Sequence, residues 1–184
     1  MPRSATRTSR KSGHPVSPRR PLTRSMLLPL PVASTERMSL QFHLALAACR
    51  RPKQGNSYQF NELLRALYIT YYLQEMGFGV LAMQVYGNAE FGLNAALTNT
   101  KQEQTWFIDA PTASLLEQIL ALHDQQLRSI ALKDLTAATE RLERFICSQR
   151  ASPLPDAIRA EVRQLAAERI LREPLTPTPD KAGG

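Results

Sequence analysis

Three histidines, two cysteines and a tyrosine-rich helix are the residues of this chain best suited to chemistry. Histidine titrates near neutrality and is the usual proton carrier of an active site. His14 lies in the basic N-terminal stretch, and His43 lies on a short helix. His123 sits on an apolar stripe between Leu120 and Leu127, where the expectation is a core imidazole bonded to a carbonyl. Asp124 follows it directly, but neighbours on a helix point about 100° apart, so the two do not make a dyad. Cys49 and Cys147 are too distant for a metal or redox motif, and each is expected as a small buried apolar side chain. His43, Cys49, His123 and Cys147 have no metal-ligand spacing. The chain contains no GxGxxG, GxxxxGK[ST], GxSxG or HExxH. These observations predict a protein that is not an enzyme and uses no cofactor or metal.

Two groups of residues suggest binding instead. Tyr68, Tyr71 and Tyr72 cluster on one helix, and tyrosine favours interfaces because it joins apolar area to a hydroxyl. They are the candidate contacts to a protein partner, against the alternative that they are core with hydroxyls at the rim. Arg3, Arg7, Arg10, Lys11, Arg19, Arg20 and Arg24 are the candidate contacts to nucleic acid. Residues 1–30 hold these seven basic groups and no acid. The chain has 23 basic and 16 acidic residues, net +7, so 16 of each remain beyond residue 30 and the body is neutral. Its basic character therefore says nothing about the folded part. A flexible arm neutralising phosphates, an organellar transit peptide and an over-extended start ahead of Met26 or Met38 all fit the leader. A twin-arginine signal fits poorly, because the apolar stretch after Arg19 and Arg20 is short and broken by two prolines.

The elements that position these groups read as helices. Ser39–Arg50 places Leu40, Leu44, Ala47 and Ala48 on one side, closed by Pro52 and Gly55. Asn56 or Ser57 caps the strongest helix, 57–76, whose face runs Phe60, Leu63, Leu64, Leu67, Tyr68, Tyr71 and Tyr72 until Gly77 and Gly79. Over 80–98 two patterns compete. Strict alternation around Gly87 and Asn88 suggests a hairpin, whereas Leu81, Val85, Ala89, Leu93 and Leu97 form an i+4 line. The alternation fails at both ends, which favours the helix. Thr98–Gln104 reads as a loop and Thr105–Asp109 as an extended segment holding the single tryptophan. Helices follow from Pro111, with Leu115, Leu116, Ile119, Leu120, His123 and Leu127 inward, and over 132–148, with Leu132, Leu135, Ala138, Leu142, Phe145 and Ile146 inward. Glu140 and Arg144 are set for an i, i+4 pair there. Helix 156–172 completes the set, burying Ile158, Val162, Leu165 and Ala166. The pair 112–127 and 132–148 has the layout of a helix-turn-helix, but without a turn glycine or a basic second helix. The apolar stretch Leu63–Tyr86 contains Arg65, Gln74, Glu75 and Gln84, so no membrane span is expected.

From Trp106 through LLEQILALHDQQL to ATERLERF, the chain resembles a loose group of small helical proteins found on plasmids and integrative elements of proteobacteria. Its residues 58–147 carry the resemblance, chiefly in the LALHDxQL and ERLxRF runs. Some members are described as Fis-type transcriptional regulators. The resemblance implies helix at 80–98 and a bacterial cytoplasm, which would exclude a transit peptide.

The expected fold is all-α, a single compact bundle of five to six helices. A disordered basic leader occupies 1–37, the helical domain 38–173 and a disordered tail 174–184. The alternative is α+β, with a small hairpin at 80–97. The expected role is a non-catalytic regulatory or accessory protein of a bacterial mobile element. It would act in the cytoplasm through helix-mediated contacts to a protein partner, with nucleic acid as a further partner through the leader. The alternative role is a DNA-binding transcriptional regulator.

Overall fold

Helix 57–76 is the hub of the sequence reading, and the fold is arranged around it. The computed structural model describes residues 22–103 and 105–172. They form six helices and no strand: α1 (Val32–Cys49), α2 (Ser57–Glu75), α3 (Met83–Glu103), α4 (Ala110–Ser129), α5 (Leu132–Ile146) and α6 (Asp156–Arg172), after a 3₁₀ turn at Arg24–Leu27. The fold is thus an all-α bundle, and the alternative hairpin at 80–97 is excluded. α2 packs against α1, α3, α4 and α5; α4 also meets α1 and α3, while α6 rests on α3 alone.

Local chemistry sets the ends of α2. The Asn56 side chain accepts from the Gln59 amide, and the Gln59 side chain accepts from the Asn56 amide, both at 3.0 Å. This reciprocal cap satisfies two donors left over by the first turn. At the other end the amide of Phe78 bonds back to Leu73 O and that of Gly77 to Gln74 O. Gly77, at φ 94°, takes the left-handed conformation this closure requires. Between the ends, Phe60, Leu63, Leu67 and Leu73 are fully buried beside Leu116, Ile119, Leu120 and Leu127 of α4.

α3 is helical through both of its glycines because they mark close approaches. A Cβ on Gly87 would lie 2.8 Å from Ile158 of α6, and one on Gly92 would lie 2.1 Å from Thr112 of α4. The expected loop at Thr98–Gln104 is instead largely helix, to Glu103. Thr98 donates back to Asn94 O there, and the Thr100 hydroxyl is shared between Ala96 O within the helix and Thr105 O just beyond it. The extended segment holding Trp106 is present. It is tied to the end of α1 by the Ile108 amide on Cys49 O at 2.9 Å, and Trp106 packs on Phe60.

Several expected faces differ. α1 begins at Val32, inside the stretch assigned to the leader, and the Leu132 amide bonds to Leu28 O at 3.2 Å. Residues 28–32 therefore belong to the helical body. α1 buries Phe42, Ala45, Leu46 and Cys49, and leaves Leu40 and Leu44 outward. In α5, Ala138 and Leu142 are buried while Leu132 and Ile146 are exposed; in α6 only Val162 is buried among the residues whose side chains are described, and Leu165 is exposed. Arg144 donates to the Glu140 carbonyl rather than meeting its carboxylate. Cys49 is buried, its thiol pushed up to about 11 by loss of water, but Cys147 is exposed.

Candidate functional site

Tyr68, Tyr71 and Tyr72 are all buried, so they do not form an outward patch. Each ring follows the apolar stripe of α2 inward, and only the hydroxyls differ. Tyr68 donates to Glu90 at 2.7 Å, and Glu90 is a buried carboxylate also held by the Ser152 hydroxyl and by Arg159 at 3.6 Å. Tyr71 donates to Glu75 at 2.6 Å. Tyr72 has no hydrogen-bond partner among the described residues, although its side chain is only 6% exposed. Burial raises the pKa of all three, so each is a neutral phenol at physiological pH.

Tyr71 and Tyr72 form one wall of a cleft of about 530 Å³. The end of α2 supplies Glu75; α5 and the turn after it supply Arg141, Arg144, Phe145, Ser148 and Arg150; Pro153 and Pro155 close the far side. Arg141 stacks on the Tyr72 ring, 4.4 Å from its centre, and pairs with Glu75. Burial is the main force on the Tyr72 phenol, and Arg141, Arg150 and Arg144 all oppose it, which places the three guanidinium charges around one ring. Sequence reasoning missed this grouping because the arginines looked balanced by neighbouring acids along α5. The signal lies across elements: Arg141 meets a glutamate of α2 rather than one of its own helix.

The second candidate surface is the outward side of α1. Leu40 and Leu44 are each 58% exposed. Arg37, Leu40, Leu44 and Ala47 follow at intervals of three and four along α1, which sets them in one line, and Arg51 lies in the bend just past the helix end. Glu36 adjoins Arg37 at one end; Arg51 and Lys53 make the other end basic, and all four are exposed. No carboxylate pairs with Arg37, Arg51 or Lys53 among the described residues.

The remaining candidates fall elsewhere. His123 is buried against Phe42, and its Nδ1 lies 3.1 Å from the Thr70 hydroxyl rather than at a carbonyl. That hydroxyl's proton goes to Ala66 O, so the imidazole donates from Nδ1. Burial holds its pKa down to about 4. Asp124 turns away from His123 and instead meets His43 at 3.0 Å on the surface, tying α4 to α1. Among the described residues no cluster of histidine, cysteine or carboxylate could hold a metal ion. α5 packs on α2 and not on α4, so the helix-turn-helix arrangement of 112–127 and 132–148 is not formed. Arg24 is exposed in the 3₁₀ turn; Arg3, Arg7, Arg10, Lys11, Arg19 and Arg20 lie outside the described residues. No helix among the described residues is long and apolar enough to cross a membrane. No protein-family model, curated protein or solved structure matches this chain.

Proposed function

We propose that this protein is a non-catalytic regulatory or accessory protein that works by holding a partner chain against the outward face of α1. The observation that carries this reading is the pair Leu40 and Leu44, each 58% exposed on a helix whose other side buries Phe42, Ala45, Leu46 and Cys49. Two leucines at i, i+4 match the way an amphipathic helix is gripped. The basic end of the stripe at Arg51 and Lys53 selects a partner helix with acidic residues at that end. The likeness of LALHDQQL and ERLERF to plasmid and integrative-element proteins supports a mobile-element setting in a bacterial cytoplasm.

A photo-crosslinking residue at position 44, introduced in the producing cells, tests the reading. The expected product joins this chain to one other protein through a helical segment with apolar residues at i, i+4 and flanking acids. Leu40→Asp should abolish it. Crosslinks to a second copy alone, or to no protein, would overturn the proposal.

Contact with nucleic acid is a second proposal, supported by the exposed Arg24 at the inner end of the acid-free leader. Replacing the seven leader cations by glutamine in the full chain should remove duplex DNA binding and its salt dependence. Binding that survives with sequence preference would instead favour a DNA-binding transcriptional regulator acting through its body. Truncation at Met38 is unsuitable, since it would cut into α1.

A further inference from the structure

We propose that the cleft between α2 and the end of α5 binds a dianionic phosphate group through Arg144, Arg150 and the Tyr72 hydroxyl. The argument begins with what each group has left to offer. The charge of Arg141 is balanced by Glu75, and its face is occupied by the Tyr72 ring. The Glu75 carboxylate is taken up by Arg141 and the Tyr71 hydroxyl, so it does not repel an incoming anion. Arg144 places its Nε on the Glu140 carbonyl, and among the described residues its outer nitrogens have no partner. The Arg150 guanidinium has no partner among the described residues; only its amide is engaged, by Ser148. The Ser148 hydroxyl is spent on Phe145 O. What remains is two uncompensated positive charges and one unused phenol donor.

That remainder matches phosphate. A phosphate monoester carries between one and a half and two negative charges near neutrality, on three acceptor oxygens. Guanidinium forks meet such oxygens two at a time, and charge-assisted contacts are the strong ones. Tyr72 is the independent sign of a ligand: the residue is only 6% exposed, it lines the cleft, and its hydroxyl has no partner among the described residues. The cleft, about 530 Å³, is larger than a bare phosphate, and Phe145, Pro153 and Pro155 offer apolar walls for an organic remainder. Free phosphate and a phosphate ester share the same recognition chemistry here.

The test is a nitrogen-detected NMR titration of the full chain, at constant ionic strength, with inorganic phosphate, phenyl phosphate and acetate. Saturable shifts at the Arg144 and Arg150 side chains are expected with both phosphates and not with acetate. Tighter binding of phenyl phosphate would identify an ester as the ligand, and equal binding would identify phosphate itself. Arg144→Gln with Arg150→Gln should weaken binding by at least about tenfold, the size of one lost charge-assisted contact. Tyr72→Phe should weaken it by a smaller factor without changing the melting temperature. Shifts confined to the basic leader, equal response to acetate, or an unchanged affinity in the double variant would overturn the proposal. It stands apart from the α1 proposal, since no residue is shared.

Discussion

The tyrosine side of α2 and the leucine line of α1 make opposite use of similar material. Tyr68, Tyr71 and Tyr72 carry hydroxyls yet are buried, whereas Leu40 and Leu44 are purely apolar yet stand in solvent. The difference lies in what surrounds each helix. α2 packs against four other helices, so even the amphipathic rings of Tyr68, Tyr71 and Tyr72 are enclosed and their hydroxyls must find carboxylates or a cleft. Among the described residues α1 packs on α2 and α4, and these two partners cover Phe42, Ala45, Leu46 and Cys49 but leave Leu40 and Leu44 uncovered. Residue type sets the worth of burial; the number of packed neighbours decides who receives it.

The largest expected effect probes the enclosed side. Tyr68→Ala removes a buried ring and one of the groups holding Glu90, and should lower unfolding free energy in urea by about 4 kcal/mol. A loss below about 1 kcal/mol would mean that the tyrosine side is not enclosed.

Acid should act on the same side. His123, bonded to Thr70 of α2, has its pKa lowered from 6.5 to about 4 by burial. Between those values the unfolded chain binds the extra proton, so stability rises with pH across this window. It is complete above about pH 6.5 and lost as pH falls toward 4, a component of about 3 kcal/mol. Chemical denaturation at stepped pH should show this component in the native chain and lose it in His123→Gln.

The helix starts sharpen the contrast further. Asn56→Ala should destabilise by about 1 kcal/mol, through loss of the reciprocal cap. Pro31, at the equivalent position of α1, makes no side-chain cap, so Pro31→Ala should change stability far less. Smallest of all, Leu44→Ala should stay within about 0.5 kcal/mol in the isolated protein, because its side chain is already in water. A core-sized loss there would show the outward line to be covered and would break the comparison.

Much of the fold is legible in the sequence where one residue has one job. Asn56 or Ser57 reads as a cap, Gly77 as an ending, and His123 as a core imidazole, because each depends on atoms a few residues away or on a single stripe. α1 is different: Phe42, Ala45, Leu46 and Cys49 compete with Leu40, Leu44, Ala47 and Ala48 as its apolar side, and spacing alone does not rank them. Gly87 and Gly92 weaken a helix by propensity, yet they sit where α6 and α4 approach α3, a tertiary demand invisible to a local pattern. The arginine-lined cleft escapes for the same reason. Its members come from three places in the chain, and the glutamate balancing Arg141 lies 66 residues away.

The lone seat of α6 on α3 gives the molecule a weak seam. Val162 is its one buried residue among those whose side chains are described, and the Arg159–Glu90 pair ties it across the interface. Such a helix is a separate opening unit: it should peel away and reclose many times for each global unfolding event. Hydrogen exchange would then be orders of magnitude faster in its amides than in α2. Each opening would strip the guanidinium from Glu90 and leave that buried carboxylate to the Tyr68 and Ser152 hydroxyls alone.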